Sequence, residues 1–305
     1  MAGGPNNGRR GSRDNDGADP GGKSAFVRRI RERARSPKQR AIGWYLTRHY
    51  RTAASQTAAE VAAGVRTSEA TVIRFATQLG YTGYPELKQH LHRMVREDLT
   101  SLELLARPLR ADGQQRDTMT SVVQAEMQHL QSLAERTSRE DVTRLVKGLL
   151  SAQRVYVVGH RASGPLGEFL GYTLGKVHED VVTITAGGSG ADDAFRTVPT
   201  GAWLIGIAFP RYPRETLNLM AFAREEGVTV AAITDSLLSP AARHADLVLA
   251  VESDPVSFVD AHCAPQALIA TLLVEYGVRA RKRTEAGLRR FERLAVRHSI
   301  FHTDD

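Results

Sequence analysis

The sequence predicts two classes of fold in one chain, α followed by α/β: an all-helical N-terminal domain, then a five-stranded parallel sheet flanked by helices. Three observations predict this. Apolar residues recur at helical spacing from Phe26 to Leu150. From Arg154 the period changes, and five short β-rich apolar runs alternate with mostly helical segments. The charge is also uneven along the chain: residues 1–110 hold 20 Lys+Arg and 10 Asp+Glu, whereas residues 111–305 hold 21 and 24. A length of 305 residues suits two domains.

Composition narrows the function classes. The single cysteine, Cys263, excludes an intrachain disulfide framework and a cysteine-based zinc site, and it fits a reducing cytoplasm. No run of eighteen apolar residues occurs, so no transmembrane helix and no membrane partner are expected. Met1 to Ser24 is rich in Gly, Asn, Asp and Arg, and reads as a disordered tail rather than an apolar signal segment. A basic N-terminal part on a mildly acidic remainder is the electrostatic footprint of a nucleic-acid binder.

In chain order, Phe26 to Arg35 predicts a first helix, and Ser36-Pro37 starts a second. Ile42, Tyr45, Leu46 and His49 space as its inner face, with Trp44 and Tyr45 expected as core anchors. Thr57 and Glu60 form a T-x-x-E capping box at the next helix start. Gly64-Val65-Arg66 is the expected turn, after which Thr67 or Ser68 caps a further helix. Val72, Phe75, Ala76 and Leu79 form its inner face, while Ser68, Glu69, Thr71 and Arg74 point outward; Gly80 ends it. A slim helix with small hydroxyls and an arginine outward suits the second helix of a helix-turn-helix. An ordinary helical hairpin has the same periodicity, and the charge footprint favours the DNA-binding reading. Pro85 opens another helix through Leu87, Leu91, Met94 and Val95, with Lys88, His90, His92, Arg93 and Arg96 expected outside. His90 and His92 differ by two and make a poor metal pair.

Leu99 to Leu150 reads as a helical connector and the first helix of the next domain, with Pro108 and Asp112-Gly113 as a break and a dimer contact among its roles. Its apolar stripes run through Leu102, Leu105 and Leu109, then Val122, Met127, Leu130 and Leu133, then Val142, Leu145, Val146 and Leu149. The strands are Val155 to Val158, Val181 to Thr185, Ala202 to Ala208, Val228 to Thr234 and Leu247 to Val251. Pro165 to Val177, Arg214 to Glu226 and Pro240 to His244 are the helical separators. Ala264 to Arg297 closes the chain as helix, with Leu268, Leu272, Leu273, Val274 and Tyr276 expected inside.

The stretch SEATVIRFATQLGYTGYPELKQHL resembles the N-terminal domain of RpiR/MurR-type transcriptional regulators. It carries their Ser-x-x-Thr-Val-x-Arg-Phe and Leu-Gly-(Phe/Tyr)-x-Gly-(Tyr/Phe) pattern in Ser68, Thr71, Val72, Arg74, Phe75, Leu79, Gly80, Tyr81, Gly83 and Tyr84, followed by Leu87 and Lys88. Arg66 stands where that family usually has glycine. Val155 to Gly164, Ala223 to Asp235, Ser239-Pro240 and His244 to Leu249 similarly resemble the sugar isomerase (SIS) domain, which in such regulators senses a phosphosugar. Together the two resemblances cover about residues 26–290.

These resemblances imply a layout: a tail 1–24, a helix-turn-helix domain 25–100, a helical linker 101–137, a SIS domain 138–285, and a C-terminal helix and tail 286–305. The DNA contacts implied are Thr67, Ser68, Glu69, Thr71, Arg74 and Lys88. Effector contacts fall at Gly159, His160, Arg161, Ser163, Arg211, Arg214, Thr216 and Ser239. Beyond the first strand, the loop Gly159–Gly164 leads into a helix whose free N–H groups favour an anion.

Two departures from the SIS pattern bear on the ligand. Arg161 replaces the second Gly of the usual Gly-x-Gly-x-Ser. Ala208-Phe209-Pro210-Arg211-Tyr212-Pro213 replaces the usual Ser-x-Ser-Gly-x-Thr, so both phosphate-holding serines and the threonine are gone. Three arginines (161, 211 and 214) remain to recognise an acid. They equally suit pairing with Glu168, Asp192, Asp193 or Glu215. The expected partners are double-stranded operator DNA, a small anionic metabolite such as a phosphosugar, and a second copy in a homodimer or homotetramer. No cofactor, metal or catalytic residue is expected. The alternatives are a SIS-type sugar-phosphate isomerase with an accessory helical domain, using Glu168 and His160, and a metabolite-binding scaffold without specific DNA binding.

Overall fold

The computed structural model describes residues 23–106, 110–111, 114–115 and 117–302. The expected tail lies outside these residues, except that Lys23 and Ser24 open the first helix. Leu109 and the break at Pro108 and Asp112-Gly113 also lie outside them. The chain divides into two compact units between Met94 and Val95.

The first unit starts with α1 (Lys23–Arg33) and α2 (Pro37–Arg48). Ser36 caps α2 in a reciprocal box with Gln39. A single turn, α3 (Tyr50–Ala53), precedes α4 (Ala58–Gly64). Helix α5 (Glu69–Gln78) follows, then α6 (Tyr84–Asp98), whose last turn passes into the second unit. Ile42, Leu46, Val61, Val72, Phe75, Leu79, Leu87 and Leu91 form the buried interior.

Two expectations fail here. Trp44 is 58% exposed, because Ile42, Leu46 and Tyr50 define the inner stripe of this stretch and Trp44 lies two positions round from it. Its ring meets the edge of His49, itself exposed, and the Arg48 guanidinium instead. His90 and Arg93 are buried, not outward. The His90 ring lies between Phe26 of α1 and Tyr81, and Arg93 Nη2 reaches its Nδ1 at 3.2 Å. Helix α1 covers that flank of α6, which a stripe of Leu and Met alone does not reveal.

The second unit opens with α7 (Ser101–Leu105) and a two-residue antiparallel pair, β1 (Arg110–Ala111) with β2 (Gln114–Gln115), inside the stretch read as helical. Helices α8 (Thr118–Arg136) and α9 (Arg139–Ser151) follow. Strand β3 (Val155–Val158) leads to α10 (Gly164–Gly175), β4 (Val181–Ile184) and a short α11 (Ser189–Asp193). Then come β5 (Trp203–Ile207), α12 (Arg214–Glu225), β6 (Thr229–Thr234) and β7 (Leu247–Ala250). The chain ends in α13 (Cys263–Arg279) and α14 (Arg281–Arg297), which break apart at Ala280.

The five long strands pair in parallel, in the order β4-β3-β5-β6-β7. Both faces are covered. Val155, Val157, Ile205, Ile207 and Ile233 pack under α9, α10 and α13; Tyr156, Val158, Leu204, Val230 and Ala232 pack under α12. This alternation of two apolar faces is why the strands read as continuous apolar runs. Val274 is 67% exposed, against expectation, since α13 buries the row Leu268, Leu272 and Tyr276.

Candidate DNA-reading helix and effector crevice

In the first unit the capping box holds as read: Thr57 N–H donates to Glu60 Oε2 at 2.6 Å, and Glu60 N–H to Thr57 Oγ1 at 3.2 Å. Arg66 makes the turn with a φ of 53°, the left-handed conformation that glycine takes without cost. Thr67 N–H returns to Ala62 O at 2.9 Å, so the turn closes on α4. Val72, Phe75 and Ala76 are buried, and Gly80 ends the helix at a φ of 96°.

On the open side of α5, Ser68 Oγ lies 2.8 Å from Thr71 Oγ1, and Arg74 Nη2 donates to Thr71 Oγ1 at 3.4 Å. Ser68, Thr71 and Arg74 thus form one hydroxyl–hydroxyl–guanidinium row, with Glu69 exposed at its start. The structure does not bring every expected contact to this row. Thr67 Oγ1 is buried, with no hydrogen-bond partner among the described residues. Lys88 Nζ donates to the Ser55 carbonyl at 3.0 Å. Its charge also helps hold Glu60 below the usual carboxylate range, behind the larger effect of the Thr57 hydrogen bonds.

Sequence reading missed the staple that aims α5. Gln78 Nε2 donates to Arg33 O at 2.6 Å, Arg33 Nη1 returns to Gln78 O at 3.0 Å, and Gln39 Nε2 donates to Gln78 Oε1 at 2.5 Å. These partners lie 39 and 45 residues apart in the chain, beyond any local pattern.

In the second unit, β4 and β5 lie on opposite sides of β3, so the strand order reverses there. The loops after β3 and β5 border the crevice at that reversal, where open α/β sheets hold ligands. A Cβ on Gly159 would lie 2.8 Å from the Ser163 carbonyl, so glycine is required. Arg161, where the SIS pattern has glycine, holds a φ of 57°. Its guanidinium faces Glu215 Oε1 at 3.5 Å, with 78% of the side chain exposed. Such an exposed pair contributes little to stability. Glu215 is held below the usual carboxylate range by its own backbone N–H first and by Arg161 second.

His160 and Thr216 join the loop after β3 to the first turn of α12 from inside. Thr216 Oγ1 accepts the His160 N–H at 3.2 Å and meets His160 Nδ1 at 2.9 Å. Both residues are buried, and burial pushes the His160 imidazole down, so it is neutral near pH 7. Thr216 is 0% exposed and ties α12 to the loop after β3 rather than offering an open ligand hydroxyl. Ser239 is equally buried; its hydroxyl receives Thr234 Oγ1 at 3.0 Å and the Ala242 N–H at 3.1 Å. Ser163 is buried at the start of α10. Arg211 and Arg214 are exposed, and Arg211 Nη2 donates to Ser101 Oγ at 3.2 Å. Glu168 is exposed and accepts a hydrogen bond from Thr185 Oγ1.

A helix-turn-helix unit joined to a doubly covered parallel sheet with a strand reversal at β3 defines a class: one-chain proteins of the helix-turn-helix plus α/β-domain type. The comparisons agree. The helix-turn-helix model of the rpiR family matches residues 31–97, and the SIS domain model matches residues 148–275. The solved sugar isomerase domain of an RpiR transcription factor from Sphaerobacter thermophilus is 30% identical, over 58% of this chain and 99% of that one, with a TM-score of 0.56. The chain belongs to the RpiR family of helix-turn-helix transcriptional regulators with a SIS domain.

An uncharacterized HTH-type transcriptional regulator of Haemophilus influenzae is 27% identical over 62% of this chain and 66% of its own length, just under two thirds. YbbH of Bacillus subtilis, another such regulator, is 24% identical over 70% and 74%. The Vibrio vulnificus NanR protein, solved with ManNAc-6P, shares the fold at 18% identity and a TM-score of 0.56, over 89% of this chain and 98% of that one. Among the described residues no helix is long and apolar enough to cross a membrane.

Proposed function

We propose that this regulator binds a specific operator through α5, and that a small anionic metabolite in the crevice between loops 159–164 and 208–213 controls that binding. The observation that carries the reading is the exposed row Ser68, Thr71 and Arg74 on a helix aimed by Gln78. Hydroxyls and a guanidinium are the groups that reach phosphates and base edges in the major groove. The +10 charge of residues 1–110 supplies non-specific attraction beneath it. Thr67 and Lys88 contribute by shaping the turn and anchoring α6, and Glu69 borders the row.

For the effector, Arg161, Arg211 and Arg214 supply the cations and Gly159 to Ser163 the close backbone approach. The phosphosugar seen on NanR supports a sugar phosphate, and the Pro-containing 208–213 loop supports an acid held by guanidiniums rather than by serines. His160, Thr216 and Ser239 act beneath the crevice by fixing its walls. An isomerase finds less support, because His160 is turned into α12 and Glu168 is bonded to Thr185. The relatives named above are transcriptional regulators, which supports sensing without turnover.

The protein acts in the cytoplasm, where its DNA is, as a homodimer or homotetramer. Support for assembly comes from α8, where Met119, Val122, Val123, Met127 and Leu130 are all exposed. A dimer would present two copies of α5 about 34–36 Å apart, or a multiple of that, to a palindromic site.

A mobility shift with the protein's own upstream region, at fixed salt and with excess competitor duplex, tests the reading. Preference for that fragment is expected, and equal binding to random duplex would remove it. Thermal-shift titration with N-acetylmannosamine 6-phosphate and with inorganic phosphate tests the crevice. Stabilisation lost in Arg161→Ala is expected; no stabilisation by either anion counts against an acidic effector.

A further inference from the structure

The loop after β5 does more than wall the crevice. Tyr212 Oη donates to Asp235 Oδ1 at 2.6 Å, and Asp235 Oδ2 receives Arg96 Nη2 at 3.0 Å. Asp254 takes Nη1 of the same guanidinium. The Asp235 side chain is 0% exposed and that of Arg96 22%. Burial alone would lower the Arg96 pKa, but Asp254 and Asp235 more than offset it and hold the charge in place. Beside Tyr212, Arg211 reaches Ser101 at the start of α7. All of these residues lie on the second unit's side of the division at Met94.

The last turn of α6, the end of β6 and the stretch after β7 therefore meet on one guanidinium, and the loop after β5 joins them through Asp235. A buried carboxylate requires a paired cation and filled lone pairs. Asp235 has both, one oxygen on Arg96 and the other on Tyr212 and Thr234. Tyr212 and Arg96 are thus coupled through one carboxylate, since drawing Tyr212 away changes what Asp235 requires of Arg96.

We propose that Arg96 is the positioning residue through which the 208–213 loop fixes the last turn of α6. This rests on the reading of that loop as a wall of the effector crevice. An anion that pulls Arg211 and Tyr212 toward the crevice loosens Asp235 and so frees the end of α6.

Amide hydrogen exchange on the full chain, without DNA or metabolite, tests this. Tyr212→Phe should speed exchange at the amides of Val95 to Leu99 on the order of tenfold, with strand amides 155–158 unchanged. Arg96→Met should do at least as much, and the double variant no more than Arg96→Met alone. If Arg96→Met does not fold, Asp254→Asn takes its place in the cycle. Unchanged exchange in Tyr212→Phe, or additive effects in the double variant, would overturn the proposal. Failure here leaves operator preference untouched, and lack of operator preference leaves the exchange result standing.

Discussion

Arg74 is the residue on which the proposed DNA reading turns. Its guanidinium is exposed on the open side of α5 and, among the described residues, is hydrogen-bonded to Thr71 alone, so its removal leaves the buried face of α5 intact. Arg74→Ala should weaken binding to the upstream fragment by about 1–3 kcal/mol, roughly fivefold to 150-fold, in a fixed-salt anisotropy titration. The melting temperature should stay unchanged. A second prediction at this scale concerns buried imidazoles. His160 and His178 are both pushed down from the ordinary histidine value, chiefly by burial. The unfolded chain therefore takes up more protons than the folded one as pH falls below about 6.5. Their contribution is fully present above that pH and is lost as pH falls toward the depressed folded values. Urea denaturation from pH 8 to pH 5 should show stability flat at first, then falling by up to about 1.4 kcal/mol per pH unit per histidine. Stability that rises on acidification would contradict the buried, neutral assignment.

Among the elements, the capping boxes show how local chemistry sets boundaries. Thr57 with Glu60, Ser36 with Gln39 and Thr100 with Glu103 each satisfy helix-start donors reciprocally. Thr57→Ala should cost about 1 kcal/mol, read as a lowered urea midpoint with unchanged slope. An unchanged midpoint would mean that packing alone places α4. Starts with such caps, and turns such as Gly80, are legible because the signal lies within a few residues. Gln78 is not legible in this way. Its partners Arg33 and Gln39 are brought near only when α1, α2 and α5 pack, and nothing in the local sequence marks a glutamine as a staple.

For the whole molecule, α8 poses the question of assembly. Of its 19 residues only His129 is buried in the single chain, while a stripe from Met119 to Leu130 faces outward. An exposed apolar stripe of this extent suits a protein interface. Val122→Asp combined with Met127→Lys should convert the assembly to monomer in sedimentation velocity, with the melting temperature of the isolated protomer little changed. Monomeric wild-type protein at micromolar concentration would refute the role given to α8.

Sequence alone determined the division into a helical and an α/β half, all five parallel strands, and the inner and outer faces of α5. Those rest on hydrophobic period, charge and capping, which are local and short in range. Tertiary structure decided which polar residues are free to act. Thr216 and Ser239 read as ligand hydroxyls, yet both are buried and bonded, Thr216 to His160 56 residues away and Ser239 to its near neighbour Thr234. Lys88 reads as a DNA contact and is bonded to Ser55, while Arg96 reads as surface charge and is clasped by two aspartates more than 130 residues away. A polar side chain goes where its hydrogen bonds and charge can be satisfied, and only the folded chain determines which partners are within reach.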